Sequence, residues 1–308
     1  MKCQKCRQKA VIKISRANAK YCKPCFIEFF ISQVRRALLK DKMVLSDDRI
    51  LVAVSGGKDS LALWHVLIHL GYQTAGLHID LGIGSYSESS SEKVESFASK
   101  FQQPLFSYRL KEAHDMGIVE LSRELDRSPC SACGTIKRYH FNRFAVQNGF
   151  TVLATGHNLD DEAARLLGNL LRWQEEYLLK QSPVLEKNEE GFVKKIKPLY
   201  RLSEYEVAAY SFLNRLDYVV EECPMSQSAP MLVYKKALNL IEHHSPGTKH
   251  QFYLSFLENQ KKKTAPVATL ELNPCSICGQ PTPLAVCGYC KIISRLPGHA
   301  ESVISDGN

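Results

Sequence analysis

The chain has 308 residues, 44% of them hydrophobic and 23% charged, a balance that excludes wholesale disorder in a chain long enough to build a core without disulfides. No apolar run reaches the roughly 18 residues of a membrane span, and Met1-Lys2-Cys3-Gln4-Lys5-Cys6 is no secretory leader, so a cytoplasmic protein without a membrane partner is expected. The net charge of +8 is lopsided: residues 1–42 carry twelve Lys/Arg against Glu28 and Asp41, which is +10, so the remainder totals −2. Such a segment is either a polyanion-binding surface or a merely solvated one.

From the N-terminus, Cys3-x2-Cys6-x15-Cys22-x2-Cys25 sets two knuckles either side of a strand-like Val11-Ile12-Lys13-Ile14. Zinc takes four thiolates in a tetrahedron, and each C-x-x-C offers two from one turn. A structural Zn²⁺ is therefore expected in a basic module of residues 1–42, inert thiols or a disulfide being the plain alternative. Ile50–Val54 reads as a strand buried on both faces, and 61–70 as a helix stopped by Gly71. Further strands are expected at 74–79, 104–108, 151–155 and 217–220, with helices at 91–101, 113–125, 134–147, 160–171 and 204–214. This alternation predicts an α/β fold, a doubly wound parallel sheet of five strands with right-handed crossovers. Residues 183–200 read as a hairpin insertion turning at 188–191. Residues 231–263 read as a helical tail ending in Lys261-Lys262-Lys263, which closes a catalytic domain of residues 43–263. After a Pro-containing linker, Cys275-x2-Cys278-x8-Cys287-x2-Cys290 repeats the four-thiolate pattern, with Gly279 and Gly288 permitting the turns, so residues 264–308 are expected to hold a second Zn²⁺.

Between the first strand and first helix stands Ser55-Gly56-Gly57-Lys58-Asp59-Ser60. Glycines admit a phosphate close to the backbone, and the N–H groups opening the helix favour an anion. Asp59 stands where a Walker A loop requires Ser or Thr, and the G-x-G-x-x-G spacing of a dinucleotide fold is missing. The pattern resembles the loop of the PP-loop family of ATP pyrophosphatases. That likeness implies cleavage of ATP between the α and β phosphates, adenylation of a carbonyl-type oxygen, and displacement of AMP by a nucleophile.

In a doubly wound sheet the ligand lies beyond the carboxyl ends of the strands. The phosphate loop, Gly156-His157-Asn158, the acids Asp160-Asp161-Glu162 and the Glu221-Glu222-Cys223 that follows the fifth strand are all expected at that rim. Cys130 and Cys133 precede a helix beginning on the same side, and Lys137, four residues after Cys133, shares its face. Three thiolates there could hold three corners of a [4Fe–4S] cluster, leaving one iron for a sulfur, or work as a persulfide relay; spacing does not choose. His157 reads as a loop cap. Asp161 reads either as a helix-start cap or as the partner of Mg²⁺–ATP, and Lys137 either as a solvated helix position or as a cavity residue.

Taken together, the terminal four-cysteine modules, residues 55–60, Pro129-Cys130-Ser131-Ala132-Cys133-Gly134 and Gly156-His157-Asn158-Leu159-Asp160-Asp161-Glu162-Ala163 resemble the tRNA 2-thiolation enzymes of the TtuA/TtcA superfamily over nearly the whole chain. Zinc modules at both ends make it similar to the 2-thiouridine branch, and within it to the enzymes of the T-loop 5-methyluridine, rather than to the 2-thiocytidine branch. The resemblance implies a [4Fe–4S] cluster on Cys130, Cys133 and Cys223. It implies ATP contacts at Ala53, Asp59, Ile79 and Gly156 beside the loop residues Ser55, Gly56, Gly57, Lys58 and Ser60. It makes Lys137 and Asp161 catalytic, with Lys137 beside the nucleotide. The partners it implies are tRNA and a ubiquitin-like sulfur carrier with a C-terminal thiocarboxylate, and a homodimer is compatible with it. The wobble uridine as substrate stays open, as do a nitrogen-transferring PP-loop enzyme, which would not require three rim cysteines, and a non-catalytic zinc RNA-binding protein, which would not require residues 55–60.

Overall fold

In the computed structural model the described residues are 1–188, 190–226, 230–262 and 272–296; Lys263, the linker through 271 and the residues beyond 296 lie outside them. The chain opens with a hairpin of β1 (Ile12–Ile14) and β2 (Ala19–Tyr21), in which Ile12 and Ile14 are buried and Lys13 is exposed, the period-2 signature of a one-sided sheet. Pro24, in the first turn of helix α1 (Lys23–Lys40), lacks an N–H at a place where none is needed. Phe26, Phe30, Val34 and Ala37 recur at helical spacing along α1 and are fully buried, Phe30 stacking on Tyr210 at 3.9 Å between ring centroids.

The central elements run β3 (Ile50–Val54), α2 (Lys58–His69), β4 (Thr74–Asp80), α3 (Gly84–Lys100), β5 (Leu105–Arg109), α4 (Leu110–His114), α5 (Ile118–Glu124), α6 (Pro129–Gln147), β6 (Val152–Thr155), α7 (Leu159–Leu171), α8 (Glu175–Leu179), β7 (Val184–Leu185), β8 (Lys194–Ile196) and α9 (Glu204–Leu213). There follow α10 (Pro230–His244), α11 (Thr248–Lys262), a small β9 (Asn273–Pro274) and β10 (Pro281–Thr282) pair, and α12 (Gly288–Ile293). The expected helix at 113–125 is broken into α4 and α5 by Asp115, which sits at φ 55°. The helix expected from residue 134 begins at Pro129, so Cys130 and Cys133 lie inside its first turns rather than before it.

The main sheet corrects the five-stranded expectation. It has six strands in the order β5-β4-β3-β6-β8-β7, all parallel except β7, which pairs antiparallel with β8. The hairpin expected as an insertion at 183–200 joins the main sheet: its second strand, β8, pairs with β6. With that edge filled, 217–220 forms no strand. It makes one parallel bridge, Val219 to Gly57, while Val220 stays 79% exposed. Two cores sandwich the sheet. Ile50, Val52 and Val54 face α1, α2, α7 and α9 on one side, and Leu51 faces α5, α6 and α12 on the other. From β3 the chain winds outward to β4 and β5, then returns across to β6, so the switch point falls between β3 and β6, and their carboxyl ends define the crevice. Among the described residues no helix is long and apolar enough to cross a membrane.

Candidate active site

The phosphate loop leaves β3 at Val54 and turns through Gly56, at φ +75°, into α2, with Gly57 as N-cap. A side chain at Gly56 would also meet the Ser90 carbonyl at 2.8 Å. Ser60 ties the loop internally: its hydroxyl accepts from the Ser55 N–H at 3.1 Å and donates to the Gly57 carbonyl at 3.0 Å. The Val219 N–H binds the Gly56 carbonyl at 2.9 Å, fastening the 217–220 segment to the loop.

The neighbouring rim loop packs directly against this one. A Cβ on Gly156 would fall 2.8 Å from the Asp59 carbonyl carbon and 2.9 Å from the Ser60 nitrogen, so only glycine lets the two loops meet. Asn158, not His157, caps α7. Its carboxamide oxygen accepts from the N–H groups of Asp160 and Asp161, Asp161 returns a bond to the Asn158 N–H, and the Asn158 amide donates to Asp59 Oδ1 at 2.9 Å. His157 instead pairs with Thr155 Oγ1 at 2.9 Å, and burial pushes its pKa down to about 4.

Five charges interlock here. Lys58 Nζ lies 3.1 Å from Asp59 and 2.8 Å from Glu204, and Lys235 Nζ lies 2.6 Å from Asp161 and 3.4 Å from Glu204. Burial raises the Asp59 carboxyl, with Lys58 pulling against it and Asp161 reinforcing it. Burial would raise Asp161 too, but the Lys235 ammonium holds it below the ordinary carboxylate value. Three carboxylates against two ammonium groups leave one negative charge uncompensated, a donor set that suits a hard cation. Glu204 and Lys235 were invisible in the sequence: one opens α9, the other sits on α10, and no local motif marks either.

Ala53, Ser55, Asp59, Ser60, Ile79, Lys137, Gly156 and Asp161 all line a single cavity of about 600 Å³ at the switch point. Gly56 and Gly57 form the loop backbone behind it, and Lys58 turns aside to Glu204. Cys130, Cys133 and Cys223 line a second cavity of about 280 Å³, walled also by His78, Tyr86 and Met225. Although 217–220 is not a strand, the bridge at Gly57 still delivers Cys223 to this rim. Ser55, Ile79, Gly134 and Lys137 line both cavities, so the two spaces adjoin, with Lys137 between them. Burial raises the Cys133 thiol while the Lys137 ammonium draws it down.

The terminal cysteines differ in spacing. Among the described residues, Cys3, Cys6, Cys22 and Cys25, and likewise Cys275, Cys278, Cys287 and Cys290, bring four sulfurs within 4.8 Å of one another, the compactness a single tetrahedral ion needs. The three central sulfurs do not close to that distance as a set, which leaves room for something larger than one ion. Burial pushes the Cys275 thiol up, but backbone N–H groups, the Cys287 N–H at 3.2 Å among them, hold it down to about 6, favouring the thiolate that binds metal.

The expected RNA surface needs one revision. Arg16, on the basic N-terminal module, is committed to the buried Glu206 with contacts of 2.8–3.3 Å, so it is a structural tie between the module and α9. Lys261, at the end of the helical tail, pairs with Asp41 at 3.2 Å but stays largely exposed.

Residues 30–229 match the PP-loop domain family, and residues 2–27 match the N-terminal LIM domain of the 2-thiouridine synthetase TtuA. The chain is 47% identical over 292 residues to the tRNA-5-methyluridine(54) 2-sulfurtransferase of Thermus thermophilus, covering 95% of this chain and 91% of that one. It is 44% identical to the enzyme of the same name from Pyrococcus horikoshii, over 94% and 93% of the two chains. This chain belongs to the TtuA family of PP-loop tRNA sulfurtransferases. Among solved structures, the U34-tRNA thiolase NcsA from Methanococcus maripaludis with its [4Fe–4S] cluster superposes with a TM-score of 0.81, at 25% identity over 96% of each chain. Relatives named for 2-thiolation of cytoplasmic tRNA, such as that of Caenorhabditis elegans, stand at 29% identity.

Proposed function

We propose that this chain is the ATP-dependent enzyme that replaces the 2-oxygen of the T-loop 5-methyluridine, tRNA position 54, with sulfur, and that it works in the cytoplasm. The observation that carries this reading is the common wall of the two cavities. An adenylating site and a thiolate-lined chamber adjoin through Ser55, Ile79, Gly134 and Lys137, so activation and sulfur delivery can act on one base without its travelling. The relatives at 42–47% identity carry the position-54 name, which favours the T-loop over the wobble base.

In this mechanism the loop N–H groups and the start of α2 receive the phosphates of ATP. Asp59 and Asp161, in a group of three carboxylates with one negative charge in surplus, would hold its Mg²⁺. The uracil O2 attacks the α phosphorus, pyrophosphate leaves, and the base carries AMP as a leaving group from C2. Lys137 offsets charge on the activated base and favours the thiolate of Cys133. Cys130, Cys133 and Cys223 fit a [4Fe–4S] cluster as a soft, widely spaced thiolate set; when bound it would supply an open iron for sulfur. A persulfide relay on the same cysteines would use the same chamber. Each terminal set would hold one Zn²⁺, dividing the chain into modules of residues 1–42, 43–263 and 264–308. A thiocarboxylate-bearing carrier would bring sulfur to the chamber, and a homodimer would be the working assembly.

The test is anaerobic reaction of the reconstituted enzyme with ATP, sulfide and an unthiolated tRNA that bears 5-methyluridine at position 54, followed by nucleoside mapping. Sulfur at position 54 with AMP and pyrophosphate as products is expected. Sulfur at position 34, or ADP with orthophosphate, would overturn the assignment.

A further inference from the structure

The phosphate loop supplies only part of the lining of the 600 Å³ cavity. Arg138 of α6, Arg165 of α7, Lys195 of β8 and Lys180, just beyond α8, line it as well, together with the rings of Phe141 and Tyr177. None of these four cations has a carboxylate within ion-pairing distance among the described residues, unlike the neighbouring Lys197, which is matched by Glu162 at 2.8 Å. The group is left under mutual repulsion. Burial, then Lys197, Arg138 and Arg165, push the Lys195 ammonium down to about 8, and burial and Arg165 lower Arg138. Glu162, paired with Lys197, offsets only part of this on Lys195, and a fold that gathers four cations in a cavity with no ion pair among them is built for an anion.

We infer that this wall is the subsite for the backbone phosphates flanking the target nucleotide, with Tyr177 and Phe141 receiving its unstacked base. The inference rests on the tRNA-thiolation reading and deepens it. The base O2 must reach the α phosphorus inside this cavity, and a nucleotide drawn out of an RNA loop brings its own phosphates with it. The triphosphate already has its place at the switch point between β3 and β6, whereas Lys195 stands on β8, one strand further out. Tyr177 is 62% exposed at the mouth, as a stacking platform for an incoming base must be.

The experiment measures binding of an unthiolated tRNA transcript across about 50–200 mM salt, beside ATP affinity, for wild type and the R165Q/K195Q double variant. The variant is expected to bind the transcript at least tenfold more weakly and to lose about two units of log–log salt slope, near one for each phosphate contact removed. ATP affinity should be unchanged, and melting temperature unchanged or higher, because repulsion has been relieved. Weakened ATP binding with an unaltered RNA salt slope would overturn the inference and give the wall to the triphosphate; no change in either would leave it without a ligand. Wild-type enzyme that binds an unthiolated tRNA bearing 5-methyluridine at position 54 but never thiolates it would sink the proposed reaction while leaving the subsite standing.

Discussion

Gly156 shows what a single missing methyl contributes. Because its absent Cβ would sit 2.8 Å from the Asp59 backbone, Gly156→Ala should force the two rim loops apart, at a cost of about 1–3 kcal/mol seen as a lower urea midpoint, and should weaken ATP binding as well. A midpoint equal to wild type would show the loops free to move. Lys137, lining both cavities, is expected to matter to chemistry rather than binding: Lys137→Ala should slow thiolation by about 10²–10³-fold with ATP affinity retained. A rate within a few-fold of wild type would remove Lys137 from the mechanism. At this scale the sequence was readable where chemistry is local. The S-G-G-x-D-S loop and the acids opening α7 announce themselves, as do the C-x-x-C pairs. The partners that set their charge, Lys235 and Glu204, do not, because the contact is made by helices far along the chain. Nor could sequence show that Arg16 is spent on Glu206; a basic residue in a basic segment looks free until its carboxylate is seen.

Elements tell the same story with a different failure. Residues 217–220, Asp-Tyr-Val-Val, have the β-branched look of a strand, while Lys194–Ile196 is three residues, two of them lysine; yet the second is in the sheet and the first is not. With β3 on one side of β6, a single edge is left, and the hairpin turn between Asn188 and Gly191, whose residue 189 lies outside the described residues, carries β8 back there. Between elements, α12 braces α6. Tyr289 stacks on Tyr139 at 3.8 Å, and both belong to the cluster around Cys275, Cys287 and Cys290. The C-terminal four-cysteine module thus rests on the helix whose first turns hold Cys130 and Cys133. Cys275→Ser should remove one zinc equivalent and, through α6, lower the fraction of enzyme that keeps its iron on reconstitution; Cys3→Ser should remove the other zinc and leave iron retention intact. Equal iron loss in both variants would mean that α12 does not act through α6.

Across the whole molecule, buried histidines set an acid limit. Burial holds His65 and His250 down to about 4 and His140 to about 3, against an ordinary value near 6.5. Between those values the unfolded chain binds protons that the native state refuses, so stability should fall as pH drops from 6.5 towards 4, by up to about 1.4 kcal/mol per pH unit for His65 and His140 and by less for the more exposed His250. His65→Asn should flatten the urea-stability profile between about pH 5 and 6.5 relative to wild type; an unchanged slope would place the proton uptake elsewhere.

The position of α12 at the far end of the chain bears also on how the protein is made. A chain emerging from the ribosome folds from its N-terminus, and this one delivers its cysteine helix well before the element that covers it. The phosphate loop gains its charge partners once α10 has appeared, but Tyr139 and His140 wait for Tyr289, among the last residues described. For that interval the nascent enzyme has a nucleotide site beside an unbraced cysteine helix, with an aromatic face open to solvent. A chain halted at residue 262 should therefore bind ATP and at the same time bind ANS strongly. The buttress is thus made after the site it braces, so a chain extended to residue 296 should bind ANS less strongly than the one halted at 262.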